Sequence, residues 1–287
     1  MDGVLVIDKP AGLTSFDVVK RVRTRLGQKK AGHTGTLDPM ATGVLPICLG
    51  EATKIAGFIT EGDKAYDAVL RLGVETDTLD AMGKELKRSP VPALSREQVE
   101  LALAPFRGAF LQQPPMYSAV KIAGKRLYEH ARAGEEVERA ARPVVVHALT
   151  LTGFSGDEVS ISVRSSKGFF VRVLAQEIGR ALGCGAHLCS LRRTQSGPFS
   201  LAQATTLEAL EQGGAPAVKL ISCADALAEL PAVPVDAAQA ARVRHGVSLD
   251  VAPAARVRVL GPGGELIAVA DAPLGRLKYL RVLAATA

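Results

Sequence analysis

The chain has 287 residues, 47% of them hydrophobic and 22% charged, which is the composition of a soluble globular protein with one large and one small domain. Four scattered cysteines without a Cys-x-x-Cys pair argue against a disulfide framework or a zinc site. Without a secretion signal or the roughly 20 apolar residues that span a bilayer, the sequence predicts a cytoplasmic protein that does not enter the membrane. A net charge of +6 favours a polyanionic partner, although a solvated basic surface gives the same sum.

The first 50 residues predict a strand, a basic helix and a loop. Residues 4–7 are an apolar run followed by Lys-Pro, which is typical of a short buried strand. A helix is predicted to begin at Ser15, as its capping residue, and to end at Gly27. Its apolar face consists of Phe16, Val19, Val22 and Leu26.

The centre of the chain alternates between strand and helix patterns. Residues 66–72, 144–151 and 159–163 have the alternation or apolar content of strands. A capping box at Ser95 predicts a second helix, and Leu174, Ile178 and Leu182 indicate a third. Between them, residues 112–142 form a long polar connection of mixed charge, and connections of that length tend to be functional or mobile.

The composition changes near residue 231. Pro231-Ala232-Val233-Pro234 is predicted to be a linker, and residues 256–260 and 265–270 flank Pro-Gly-Gly, which is typical of a hairpin. Residues 231–287 are therefore predicted to form a small β-rich module.

The segment Gly32 to Leu45 contains the densest set of unusual residues. Its glycines permit close backbone approach to a ligand, and Pro39 pushes Asp38 into an extended conformation that suits a carboxylate held out on a loop. Alone, an Asp-Pro step is more often a turn, and a single His33 is more often structural. The residues by themselves make this loop a candidate site and no more.

The same segment resembles the signature loop of the TruB family of tRNA pseudouridine synthases. Further blocks that resemble this family follow in the family's order, and together they cover about residues 2–200. They are residues 8–15, 49–54, 64–66, 72–81, 114–121, 166–172 and 191–194.

The resemblance implies catalytic roles for three residues. Asp38 would be the catalytic carboxylate, either by covalent attack or by removing a proton. Arg172 would pair with Asp38, keep it charged and fix its direction. Tyr66 would lie against the target base and take part in catalysis as well as binding.

The resemblance also implies supporting roles. Leu191 would contact the extruded base, and His33 would help to hold or expel the flipped nucleotide. Lys9 and Asp80 would support the active-site loop through charge pairing. Phe170 occupies a position where the family usually has Tyr, so it can stack on a base but cannot donate a phenolic hydrogen bond.

The fold that the resemblance implies is α+β, with a mixed, largely antiparallel sheet flanked by helices. Residues 1–230 would form the catalytic domain, with an RNA-clamping insertion at about 112–142, and residues 231–287 a PUA-like RNA-binding domain. The implied activity is isomerisation of uridine to pseudouridine at position 55 in the T loop of tRNA, after base flipping. Since the reaction consumes neither redox equivalents nor ATP, no cofactor or metal is expected, and we expect a monomer without a protein partner.

Two alternatives stay open at this point. A base glycosylase could use Asp38, although glycoside hydrolysis usually employs two carboxylates that flank the bond. A tRNA-binding protein or tRNA-folding chaperone without catalytic activity would carry the same basic surface. Product analysis and an Asp38 variant distinguish these alternatives.

Overall fold

The computed structural model describes residues 1–122, 124–213 and 218–284. Residue 123 of the predicted insertion and residues 285–287 of the predicted C-terminal module lie outside this description. The strands are β1 (Gly3–Lys9), β2 (Ala31–His33), β3 (Thr42–Leu49), β4 (Lys64–Leu72), β5 (Val74–Thr76), β6 (Glu85–Arg88), β7 (Gly108–Gln112), β8 (Lys121–Ile122), β9 (Lys125–Arg126), β10 (Arg142–Ser155), β11 (Glu158–Ser165), β12 (Ala186–Ser196), β13 (Phe199–Ser200), β14 (Thr205–Thr206), β15 (Ala232–Pro234), β16 (Ala254–Leu260), β17 (Leu266–Ala272) and β18 (Lys278–Val282).

The helices connect these strands and mostly cover one face of the large sheet. They are α1 (Ser15–Leu26), α2 (Ala56–Thr60), α3 (Arg96–Leu103), α4 (Leu127–Arg132), α5 (Val171–Ala181), α6 (Leu207–Gly213) and α7 (Ala237–Arg244). Short 3₁₀ turns occupy Gly50–Ile55, Ala104–Phe106, Leu201–Gln203 and Asp225–Leu227.

A single mixed sheet forms the centre of the molecule. Its strand order is β14-β1-β3-β12-β4-β11-β10-β7, with β2 beside β3 and β13 beside β12. The β1–β14 and β3–β12 pairs are parallel, and the other described pairs in this sheet are antiparallel. The predicted α+β fold with a mixed, largely antiparallel sheet is confirmed.

The start of α1 differs from the prediction. Thr14, not Ser15, caps the helix through the backbone N–H of Asp17. Ser15 is buried because its hydroxyl bonds both the N–H and the carbonyl of Leu37. The predicted apolar face is wrong at Phe16, which is 66% exposed, and Val18 occupies the buried face instead. The Ser15 contacts tie the helix to the loop that contains Asp38.

The region after residue 230 forms a second, four-stranded sheet of order β15-β16-β17-β18. The predicted hairpin is present as β16 and β17. The predicted linker is wrong, because residues 232–234 pair in parallel with β16 as β15. Leu266, Val269 and Leu283 share a hydrophobic core with Val4 and Val44, so this sheet packs against the back of β1 and β3.

Gly43, the second residue of β3, determines how closely this strand approaches β12. Its φ is +102°, and a Cβ atom there would collide with the carbonyl oxygen of Arg193. Only glycine permits both the backbone angle and the contact. The parallel β3–β12 pair places residues 34–41 beside β12 and its neighbour β4.

Candidate active site

A cavity of about 300 Å³ opens where the 34–41 loop, β4, β12 and the start of α5 meet. The residues that line it come from distant parts of the chain and include Asp38, Tyr66, Phe170, Arg172 and Leu191. Cavities of about 550 and 710 Å³ elsewhere contain none of these five residues. The sequence-predicted catalytic residues therefore share one pocket.

Asp38 and Arg172 form an ion pair in this pocket. The Arg172 Nε atom lies 2.9 Å from Oδ2 of Asp38. The Arg172 side chain is 5% exposed, whereas that of Asp38 is 35% exposed and lines the cavity. The guanidinium therefore holds the carboxylate from below while leaving it accessible to a ligand.

Arg172 is itself fixed by three further groups. Nη1 donates to the carbonyl of Thr78 at 3.0 Å, and Nη2 donates to the carbonyl of Tyr117 at 2.8 Å. Nη1 also lies 3.8 Å from Oδ2 of Asp80. A planar guanidinium satisfies several acceptors at once, which a lysine ammonium cannot do in the same geometry. This contact places Asp80 beside the guanidinium, and its supporting role stays a prediction.

Asp80 is buried and does not line the cavity. Its Oδ1 accepts from the Thr78 hydroxyl at 2.6 Å and from the Met82 N–H at 3.0 Å. Its remaining oxygen faces Arg172, so the carboxylate is fully engaged. Asp38 is the only acidic residue among the described residues that line the cavity.

Two opposing effects act on the pKa of Asp38. Burial raises the pKa and is the larger effect, and the Arg172 guanidinium lowers it. The Asp80 carboxylate raises the pKa further, and Lys9 lowers it. The net direction is upward, so Asp38 becomes ionised at a higher pH than an ordinary aspartate.

Lys9 supports the loop mainly through backbone contacts. Its fully buried ammonium donates to the carbonyls of Pro10, Pro39 and Ala41 at 2.9, 3.2 and 2.7 Å. Burial lowers the pKa of Lys9 to about 8, while the nearby charge of Asp38 raises it. Lys9 thus pins the residues that immediately follow Asp38.

Apolar and aromatic side chains form the walls of the cavity. Tyr66 on β4 and Leu191 on β12 lie on adjacent strands, and Phe170 immediately precedes α5. The Gln112 side chain holds the backbone of Phe170 from both sides, accepting from its N–H at 2.8 Å and donating to its carbonyl at 3.1 Å. Such walls suit the faces of a planar heterocyclic ring.

His33 stands apart from the other predicted site residues. It ends β2 and does not line the cavity, and within the described ranges its Nδ1 has no hydrogen-bond partner. Burial lowers the pKa of His33, with smaller contributions from Arg193 and Arg126. Contact between His33 and RNA stays a prediction.

The site also contains residues that the sequence did not single out. Lys64 and Arg193 line the same cavity and are almost fully buried. Ser118, Ala119 and Val120 line it too, so the start of the 112–142 segment forms one wall. The adjacent pair Arg192-Arg193 indicated a buried arginine, because neighbouring residues on a strand face opposite sides of the sheet and one of the two had to point inward.

We expect the ring of Phe170, and not a hydroxyl, to matter at its position. Phe170→Ala should raise KM for RNA about 10-fold, because stacking on a base contributes on the order of 1–3 kcal/mol. Phe170→Tyr should leave KM close to that of the unmodified chain. Steady-state kinetics of the two variants measure this, and equal values for Ala and Phe would remove the stacking role.

No group of His, Cys, Asp and Glu side chains in the described ranges has the arrangement of a metal site. The same ranges contain no helix long and apolar enough to cross a membrane. The expected lack of a cofactor stays a prediction.

The overall architecture resembles solved structures. It is similar to a chain in a crystal structure of a Cbf5-Nop10-Gar1 complex, with a TM-score of 0.76 and 27% identity over 98% of this chain and 84% of that chain. It is also similar to a chain in an H/ACA RNP bound to a substrate RNA containing 2′-deoxyuridine, with a TM-score of 0.75 and 25% identity over 99% of this chain and 85% of that chain. Both likenesses include the C-terminal sheet.

Residues 23–171 match the family model of the TruB family pseudouridylate synthase N-terminal domain. This match, together with the paired carboxylate in its pocket, assigns the chain to the pseudouridylate synthases. Residues 172–219 match the tRNA pseudouridylate synthase B C-terminal domain. A protein of Aromatoleum aromaticum (strain DSM 19018 / LMG 30748 / EbN1) named tRNA pseudouridine synthase B is 51% identical over 93% of this chain and 87% of its own length. One so named from Azoarcus sp. (strain BH72) is 47% identical over 99% and 95%. The chain belongs to the TruB family, as its motifs predicted.

Proposed function

We propose that this chain isomerises uridine to pseudouridine at position 55 in the T loop of tRNA, with Asp38 as the catalytic carboxylate. The observation that carries the proposal is the accessible Asp38 carboxylate held by the buried Arg172 guanidinium in a nucleoside-sized cavity. The relatives named tRNA pseudouridine synthase B support tRNA as the substrate.

The reaction requires three changes at one nucleotide. The N1–C1′ bond breaks, the base rotates, and a C5–C1′ bond forms, while the proton lost from C5 is balanced by one taken up at N1. Attack by Asp38 and proton removal by Asp38 both need an ionised oxygen, and Arg172 favours that form. Tyr66, Phe170 and Leu191 would hold the base while it is detached, because they wall the same cavity.

Access to Asp38 requires a flipped nucleotide. A base stacked in an RNA helix cannot reach a carboxylate inside a pocket, and extrusion costs a few kcal/mol. Specific RNA recognition mostly uses loops whose bases can splay outward, and the T loop is such an element. His33 would contact the flipped nucleotide or its neighbour from outside the cavity.

Exposed basic side chains are available for contacts with the RNA backbone. In the 112–142 segment they are Lys121, Lys125, Arg126, Arg132 and Arg142. On α1 the supply is smaller than the sequence suggested, because Arg21 pairs with Glu211 and Arg25 bonds backbone carbonyls of α6. We further propose that the 231–287 module binds RNA. We also propose that the protein is a monomer and acts in the cytoplasm.

The glycosylase alternative lacks the second carboxylate that it needs. Among described residues, the cavity presents Asp38 alone, and Asp80 is buried behind Arg172. Glycoside hydrolysis usually requires two carboxylates on opposite sides of the bond. The site therefore favours isomerisation.

Incubation of the purified chain with an unmodified tRNA transcript tests the proposal. We expect one pseudouridine at position 55 by chemical labelling, an unchanged RNA mass and no free uracil. A transcript with cytidine at that position is the control. Release of uracil would indicate the glycosylase, and binding without modification would indicate the chaperone.

A further inference from the structure

Arg193 lies beneath the candidate site and joins two parts of its backbone. The side chain is 1% exposed. Its Nε donates to the carbonyl of Val44 at 2.7 Å, and its Nη2 donates to the carbonyl of Gly35 at 3.0 Å. One rigid planar group thus links residues 35 and 44.

These two carbonyls bracket the segment that contains Asp38. The segment includes Gly35 and Gly43 at φ values of +90° and +102°, so its own sequence gives it little stiffness. Lys9 pins Pro39 and Ala41 inside the segment, but it does not hold the ends. Val44 is fixed by the pairing of β3 in the central sheet, and Arg193 ties the Gly35 end of the segment to this strand.

Arg193 also stands beside Tyr66. The two residues are direct partners across β12 and β4, so their side chains leave the same face of the sheet as neighbours. Both line the cavity with Asp38. Arg193 therefore bonds the backbone around Asp38 and lies next to Tyr66 on the neighbouring strand.

The stability of the fold does not explain why this buried side chain carries a charge. In the part of the chain that the structure describes, its guanidinium forms no ion pair with a carboxylate. A buried charge compensated only by carbonyls carries a desolvation penalty, and an apolar side chain of similar size would avoid it. The contacts that Arg193 makes point to a role in the site.

We propose that Arg193 is a positioning residue for the isomerisation, which ties the Gly35 end of the Asp38 segment to β3 and so sets the position of Asp38 relative to its neighbour Tyr66. This inference rests on the proposed function. Arg193 acts through Asp38 and Tyr66 and does not exchange a proton or form a bond with the substrate.

Arg193→Lys tests the inference, because lysine keeps the charge but cannot reach both carbonyls. We expect the single-turnover rate at saturating tRNA to fall about 100-fold, the loss typical of a misplaced reactive group. The Kd for tRNA should stay unchanged. Arg107→Lys is the control, since the Arg107 guanidinium also joins a backbone carbonyl, that of Leu149, to a second group, the Glu100 side chain, and Arg107 does not line the cavity. Its single-turnover rate should equal that of the unmodified chain.

Amide hydrogen exchange gives a readout that does not depend on catalysis. The Ala41 N–H, which donates to the Asp38 carbonyl at 3.0 Å, should exchange faster in Arg193→Lys and not in Arg107→Lys. An unchanged rate in Arg193→Lys, or a loss confined to tRNA affinity, would overturn the inference. If the unmodified chain makes no pseudouridine, the proposed function fails instead. Unaltered exchange at Ala41 in Arg193→Lys would then separately refute the proposal that Arg193 positions the Asp38 segment.

Discussion

Asp38→Asn is expected to abolish pseudouridine formation while tRNA still binds. Asparagine keeps the size of the side chain but has no ionised oxygen to attack or to accept a proton. The single-turnover rate should fall by at least about 10⁴-fold, as for other essential nucleophiles. The Kd should be equal or lower, since a negative charge near a polyanion is removed. Rapid-quench assays and filter binding measure the two quantities.

The control for this variant is Asp157→Asn. Asp157 also pairs with an arginine, Arg71, at 3.0 Å, but it lies at the exposed end of the β10–β11 hairpin. It should retain the full rate. Normal modification of tRNA by the Asp38 variant would deprive Asp38 of its assigned role and would reopen the choice of catalytic group.

Replacement of Arg172 is expected to have the second largest effect. Arg172→Lys keeps a positive charge but loses the fork that contacts Asp38 and the carbonyls of Thr78 and Tyr117. The rate should fall about 10²- to 10³-fold, the range seen when one preorganised donor is removed from an active site. Single-turnover kinetics at saturating tRNA give this value.

The pH dependence of Arg172→Met separates charge from geometry. Asp38 must be ionised, so the rate falls as the pH drops through the pKa of Asp38. Burial raises this pKa and Arg172 lowers it, so removal of the guanidinium should move the acid limb of the pH–rate profile to higher pH. Arg180→Met is the control, because Arg180 lies on the same helix in an exposed pair with Glu177. A profile that superimposes on that of the unmodified chain would contradict the pairing.

Periodicity and motif order predicted much of the fold. Alternation located β4, capping patterns located α3, and the glycine–proline hairpin located β16 and β17. Phe16 shows the limit of periodicity, because its spacing fits the apolar face of α1 and yet its side chain is exposed while Val18 is buried. Residues 232–234 likewise have the composition of a linker, and only the partner strand β16 makes them β15.

The site was predictable in its side chains and not in its backbone. The motifs brought Asp38 and Arg172 forward as a pair, and the structure places them in contact. The carbonyls of Thr78 and Tyr117 hold the same guanidinium although they are almost 40 positions apart along the chain, and no sequence pattern indicates this. The Arg192-Arg193 pair indicated one inward-facing arginine, but the partners of Arg193 could not be predicted, since they are carbonyls and every residue has one.

The hydrophobic core shared by the two sheets determines what truncation of the chain would do. Leu266, Val269 and Leu283 cover Val4 and Val44, and Val44 is also a point where Arg193 is anchored. A chain that ends after residue 230 would expose the apolar side chains of β1 and β3 that this sheet covers, and β3 directly follows the loop that contains Asp38. Poor turnover by such a fragment would then report a loosened scaffold, whatever the missing portion does with RNA.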